Sequence, residues 1–263
     1  MKPKISVVTV TYNAAAAIEK TLRSVASQTY DKLEYLIIDG GSKDGTLAIV
    51  DRWRDHIDYL VSEPDKGLYD AMNKGSFAAT GDFVIMLNSD DVFVDEHVVE
   101  DVAAFIEAHP EADVIFGDTE EIWDYGTVRL SPDTAFGDNH KMRISPQATF
   151  ARTALMQAYP FDLQYRYAAD FAQFSAMQRA GNVFLRFNRL IARVEKRGGV
   201  THDNHLASAT EIYDILARQG YDVAHEKRRI LRHIRWVESF KRLLPRWFTN
   251  PLLRLVAKYY KPL

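Results

Sequence analysis

The stretch Phe83-Val-Ile-Met-Leu-Asn-Ser-Asp-Asp91 constrains this chain more than any other. Five apolar residues run directly into Asn88, Ser89, Asp90 and Asp91. An apolar run of this kind reads as a strand buried on both faces. The acids then sit at its carboxyl end, where open α/β sheets bind ligands. Adjacent carboxylates repel unless a cation or hydrogen-bond donors neutralise them. These residues alone leave two readings open. One is a divalent cation that holds a phosphate-bearing ligand. The other is a cap for a helix beginning near Asp95.

The flanking sequence predicts a sheet around that strand. Ile5–Val10 is β-rich and apolar, and Thr11-Tyr12-Asn13 follows at its end, with Asn13 suited to cap a helix. Ile18, Leu22 and Val25 have helical spacing, up to about Gln28. Leu33–Ile38 is a second strand, ending in Asp39-Gly-Gly-Ser-Lys-Asp-Gly-Thr46, where Asp44 or Thr46 caps the next helix. A short strand near 58–61 comes next, then a helix after Gly67 with Leu68 and Met72 inside. Strand alternating with helix predicts a mostly parallel twisted sheet flanked by helices. Beyond it come a helix carrying Val98, Val102 and Phe105, a strand at 114–116, a hairpin about Tyr125-Gly126, a strand at 144–150, a helix opened by Asp170, and one or two strands over 183–194.

Composition excludes several chemistries. There are no cysteines, so thiolate metal sites, disulfides and cysteine nucleophiles are out, in keeping with a reducing compartment. With 47% hydrophobic residues the chain can bury a core without such staples. The start lacks the long apolar run of a signal peptide, and no stretch is long and apolar enough for a transmembrane helix. No G-x-G-x-x-G, G-x-x-x-x-G-K-[ST] or G-x-S-x-G motif occurs, and His202 and His205 lack a metalloprotease frame. Charge is split along the chain. From Lys227 onward there are eleven Lys or Arg against one acid, Glu238, whereas residues 1–226 hold 22 basic and 35 acidic residues. The basic tail has a helical stripe of Ile230, Ile234 and Val237, and a second after Pro245 with Leu252, Leu255, Val256 and Tyr259. Basic amphipathic helices with interleaved aromatics read as segments for an anionic membrane surface. The competing reading is packing on the acidic domain or a dimer contact. The acidic main domain argues against nucleic acid as partner.

Four ordered stretches, Ser6–Asn13, Ile38–Thr46, Ser62–Gly75 and Gly81–Asp91, together make the chain resemble the family-2 inverting glycosyltransferases of GT-A fold. It is most similar to members that assemble bacterial polysaccharides such as O-antigen and colanic acid. The resemblance continues more weakly through Gln147–Phe150, Asp170 and Gly198–Val200 and fades after about residue 215. It implies a GT-A nucleotide-diphospho-sugar transferase domain over 1–215 and a basic amphipathic helical extension over 216–263. It implies a nucleotide-sugar donor, UDP- or GDP-linked, and a saccharide or lipid-linked saccharide acceptor. Thr11, Tyr12, Asp39, Asp65, Lys66 and Asn73 would bind the donor nucleotide, and Asp170 would be the catalytic base. Asn88 stands where many members have aspartate. The ligand for Mn²⁺ or Mg²⁺ would therefore be Asp91, with Asp90 as second ligand or ribose contact. Pro146 replaces a histidine common in relatives, which leaves that acceptor contact unassigned. The implied location is cytoplasmic, peripheral on the inner face of the cell membrane. A nucleotidyltransferase acting on sugar phosphates and a non-catalytic sugar-binding or scaffold member of the same fold are the rival functions.

Overall fold

The computed structural model describes residues 2–137, 142–196 and 204–243. Strands β1 (Ile5–Thr11), β2 (Leu33–Asp39), β3 (Tyr59–Ser62) and β4 (Phe83–Met86) are parallel and lie side by side in the order β3-β2-β1-β4. Every residue of β1 and of β4 is buried because helices cover both faces. Side chains alternate between faces along a strand. Val7 and Ile37 accordingly share one apolar layer with Ile18, Leu22 and Val25 of α1 (Ile18–Ala26) and Val50 of α2 (Thr46–Asp51). Val8 and Leu36 share the opposite layer with Ala71 and Met72 of α3 (Leu68–Ala78). Gly75 lets α3 approach β1 closely, since a Cβ there would collide with Val8 Cγ1.

Beyond β4 the pairing becomes mixed. The further elements are β5 (Val92–Phe93), α4 (Val98–Ala108), β6 (Val114–Trp123), β7 (Gly126–Leu130), β8 (Thr149–Arg152), α5 (Thr153–Ala158), α6 (Ala169–Arg179) and β9 (Phe184–Glu195). Strand β8 is antiparallel to both β4 and β6, so β6 runs in the same direction as β4. Strand β9 is parallel to β6, and the short edge strand β5 is antiparallel to β9. The mostly parallel sheet of the sequence reading therefore describes the first four strands. The predicted hairpin is present as β6–β7, turning at Asp124-Tyr125. The strand expected over 144–150 begins only at Thr149, because Pro146 opens a one-turn 3₁₀ segment, Pro146–Ala148.

Helix α7 (His205–Arg218) buries Tyr213, Ile215 and Leu216, so residue 215 lies inside a packed helix. Helix α8 (Ala224–Leu243) lies along α7, with Lys227 paired to Asp214 at 2.5 Å. Its Ile230 and Ile234 turn inward against the core, while Arg228, Arg229, Arg232, Arg235 and Trp236 are exposed. Gly198-Gly199, His202 and the second amphipathic stripe lie outside the described residues, as does the side chain of Val237.

Candidate active site

Three parallel strands bring their carboxyl ends to one edge. Thr11 pairs with Asp39, and Asp39 with Ser62. Asp39 is fully buried and its oxygens are taken up by the chain around it. Oδ2 accepts the Gly41 and Ser42 N–H groups at 3.1 and 2.9 Å and the Ser62 hydroxyl at 2.6 Å, and Oδ1 accepts the Ser42 hydroxyl at 2.5 Å. This aspartate moulds the Gly40-Gly41 loop. On that loop a Cβ at Gly40 would collide with Asp65 Oδ2 and stand 3.3 Å from the Tyr12 ring, so Tyr12 and Asp65 face each other across a glycine. Tyr12 is 62% exposed, and the Thr11 hydroxyl beneath it is buried without a partner. Asn13, with φ +49°, accepts the Lys43 N–H at 2.8 Å and does not cap α1, which starts only at Ile18. Asp44 does serve the start of α2, through the Thr46 N–H at 3.0 Å.

Asp90 and Asp91 cap no helix, because β5 follows them directly and α4 begins only at Val98. Asp91 is 2% exposed and accepts the Glu195 N–H from the end of β9 at 2.9 Å. Its own carbonyl accepts the Thr21 hydroxyl of α1 at 2.8 Å. Burial, and after it the charge of Asp90, push the Asp91 carboxyl up to about 7. Burial also raises Asp90, and Lys20 and Lys196 pull it down. Asn88 Oδ1 is buried beside them without a hydrogen-bond partner. Concentrated negative charge and hard oxygen donors are what a Mg²⁺ or Mn²⁺ site with phosphate requires. Among the described residues no group of three or more His, Cys, Asp or Glu is gathered for a metal. Such a group is not needed where one or two carboxylates share the ion with phosphate oxygens.

Asp170 sits half-buried in the first turn of α6. Its Oδ1 accepts the Tyr69 hydroxyl of α3 at 3.1 Å and the Phe171 N–H at 2.8 Å. Burial holds its carboxyl above the ordinary range, against the pull of the Phe171 N–H, Tyr69 and Lys196. Lys196 thus acts by charge on Asp90, Asp91 and Asp170 alike. Glu211 of α7 accepts three successive N–H groups, those of Arg166, Tyr167 and Ala168, at 3.0, 2.8 and 3.0 Å, and so fixes the chain leading into Asp170.

Of the sequence-predicted nucleotide residues, Thr11, Tyr12, Asp39 and Asp65 come together. Lys66 is exposed in the turn before α3. Asn73 is committed elsewhere, exchanging two hydrogen bonds with the Phe161 backbone at 2.9 and 2.8 Å. Tyr69, Lys196 and Glu211 escaped the sequence reading as site residues. Tyr69 stands inside the matched Ser62–Gly75 stretch, so its position was a usable signal. No pattern marks Lys196 or Glu211.

Residues 6–164, more than half of the chain, match the family described as Glycosyl transferase family 2. The chain belongs to this family. It is 32% identical over 179 residues to a "PGL/p-HBAD biosynthesis glycosyltransferase" of Mycobacterium bovis, covering 64% of this chain and 67% of the relative. In structure it resembles residues 1–349 of TarS from Staphylococcus aureus, solved with UDP, at a TM-score of 0.64 and 26% identity over 87% of this chain and 69% of that one. It spans only 39% of a longer TarS structure. Glucosyl-3-phosphoglycerate synthase from Mycobacterium tuberculosis, solved with Mn²⁺, UDP and glucosyl-3-phosphoglycerate, shares the fold at a TM-score of 0.59 and 17% identity over 84% of this chain and 82% of that one. This family-2 chain therefore has the GT-A fold that its motifs implied.

Proposed function

We propose that the chain transfers a sugar, with inversion, from a UDP- or GDP-linked donor to a hydroxyl of a saccharide or lipid-linked saccharide, in bacterial surface-polysaccharide assembly. The observation that carries this reading is Asp170, a half-buried carboxylate with a raised proton affinity, held by α3 and within reach of the Lys196 charge that also acts on Asp90 and Asp91. A carboxyl held above its ordinary range is a better proton acceptor once ionised. As the acceptor oxygen attacks the anomeric carbon, its proton passes to Asp170. The bond to the diphosphate breaks, and the diphosphate leaves with the electron pair. One displacement inverts the centre and needs no enzyme nucleophile. Thr11, Tyr12 and Asp65 would line the nucleotide pocket, with Asp39 shaping its floor and Lys66 at its rim. Asp91 and Asp90 would hold Mn²⁺ or Mg²⁺, which when bound neutralises charge on the departing diphosphate.

The test is a panel of nucleotide sugars with Mn²⁺, read for hydrolysis or transfer, on the wild type and Asp170→Asn. The variant should bind donor normally and lose turnover. Equal turnover in both would remove Asp170 from the reaction.

For the extension over 216–263 we propose peripheral contact with anionic lipid on the cytoplasmic face. Support comes from the exposed Arg228, Arg229, Arg232, Arg235 and Trp236 of α8. Since Ile230 and Ile234 are used inside the protein, the lipid contact would fall to the basic face and Trp236. Among the described residues no helix is long and apolar enough to cross a membrane. Flotation with phosphatidylserine vesicles should carry the full chain and release the Arg232→Glu, Arg235→Glu variant; equal flotation of the two would end the proposal.

A further inference from the structure

Strand β6 points toward the same edge as β4, and so does its parallel partner β9. They deliver Trp123 and Lys196 there side by side, with the Lys196 N–H donating to Ile122 O at 3.0 Å. At the tip of the β6–β7 hairpin the rings of Trp123 and Tyr125 lie 5.5 Å apart and only 17° from parallel. Both residues are half-buried. The stack is anchored from below. Trp123 Nε1–H donates to Glu121 Oε2 at 3.1 Å, and Glu121 is itself buried. Its Oε1 lies 3.3 Å from Lys196 Nζ. Glu121 also acts on Tyr125, whose phenol is raised by burial and then by that carboxylate. A stacked aromatic pair is thus fixed to the lysine whose charge acts on Asp90, Asp91 and Asp170.

We propose that the Trp123–Tyr125 stack seats a pyranose of the acceptor, its apolar C–H face against the rings. This rests on the transferase reading above. Aromatic faces carry a negative quadrupole that suits the electropositive C–H bonds of a sugar. Binding sites of this type combine such faces with a few fixed polar groups, here Glu121 and Lys196. A pair that only stabilised the hairpin would cost stability, and not sugar affinity, when its rings are removed.

Saturation-transfer NMR on the full chain with Mn²⁺ and UDP or GDP, whichever binds, separates the two roles, using methyl α- and β-glycosides of glucose, galactose, mannose and N-acetylglucosamine as probes. At least one glycoside should receive saturation on the protons of one ring face. Trp123→Ala should weaken that binding at least tenfold, while Trp123→Phe, which keeps a ring, stays within about threefold of wild type. Affinity for that nucleotide should not change in either variant. The absence of any glycoside signal in wild type that binds either nucleotide would overturn the proposal. So would a Trp123→Ala protein that binds the glycoside normally and only melts earlier. Failure of both UDP and GDP to bind wild type would instead count against the transferase reading.

Discussion

The Tyr69 hydroxyl donates to Asp170 Oδ1 at 3.1 Å and so ties α3, which follows Asp65 and Lys66, to the first turn of α6. Tyr69 is buried and stacks on Phe161, with centroids 5.3 Å apart, so this donor is rigidly aimed. The hydrogen bond lowers the proton affinity of a carboxyl that burial raises. In Tyr69→Phe the Asp170 pKa should therefore rise. The acidic limb of the kcat/KM profile should move to higher pH, with kcat down about tenfold at pH 7 and donor KM unchanged. A pH–rate series on both proteins checks this. Unshifted limbs would reduce Tyr69 to a packing residue.

Glu211 performs a second kind of positioning, through backbone alone. Its carboxylate meets three N–H groups just before Asp170. Charge-assisted bonds of this kind leave costly orphans when the acceptor is removed. Glu211→Ala should lose about 2 kcal/mol of stability, read in urea unfolding, and lower kcat with little change in donor KM. Glu211→Gln keeps one acceptor oxygen and should fall between. Alanine and wild-type proteins of equal stability would refute this positioning role.

Asp91 gives the site a stability signature. Its carboxyl titrates at about 7 in the fold against an ordinary 3.8, so the folded chain binds this proton more tightly than the unfolded one. The stabilisation belonging to the protonated form is complete below pH 4 and is lost as pH rises through 7. The gap corresponds to something on the order of 4 kcal/mol. Asp91→Asn keeps the oxygen that accepts the Glu195 N–H and does not titrate. Its melting temperature should exceed that of wild type by an amount that grows from pH 4 to 7 and then levels. Saturating Mn²⁺ should narrow the gap above pH 7 by stabilising the ionised wild type. Calorimetry across this range decides; a difference independent of pH would exclude Asp91 as the titrating group.

The N-terminal half of this architecture was legible because its strands are apolar on both faces and its helices have 3.6-residue periodicity. Val7 and Val8 point into different layers, and only a doubly covered strand can read that way. The caps were less legible. Asn13 looks like an N-cap, yet tertiary contact with Lys43 takes its side chain. Sequence spacing also says nothing of contacts made over long separations. Glu195 reaches Asp91 across 104 residues and Tyr69 reaches Asp170 across 101, each placed by strand order and not by local pattern. Asn73 illustrates the opposite case. It stands in a matched stretch, but its amide fastens the Phe161 backbone to α3.

The amino-terminal end of the parallel strands holds a carboxylate of the opposite kind. Glu34, at the start of β2, accepts the Lys4 ammonium at 2.7 Å, the Ser6 hydroxyl at 2.6 Å, and the Thr80 N–H and hydroxyl at 2.8 and 2.5 Å. It joins β1, β2 and the turn before β4. Burial alone would raise its carboxyl, but these donors outweigh burial and hold it down to about 2. A depressed carboxylate contributes stability above its unfolded pKa, and that stability is lost as pH falls through the folded value. The window here runs from 4.5 down to about 2. The contribution is on the order of 3 kcal/mol at neutral pH. Glu34→Gln should therefore unfold at lower urea at pH 7, and its deficit should shrink steadily from pH 4.5 to pH 3. A deficit that stayed constant over that interval would mean that lost packing, not the charge, sets its size.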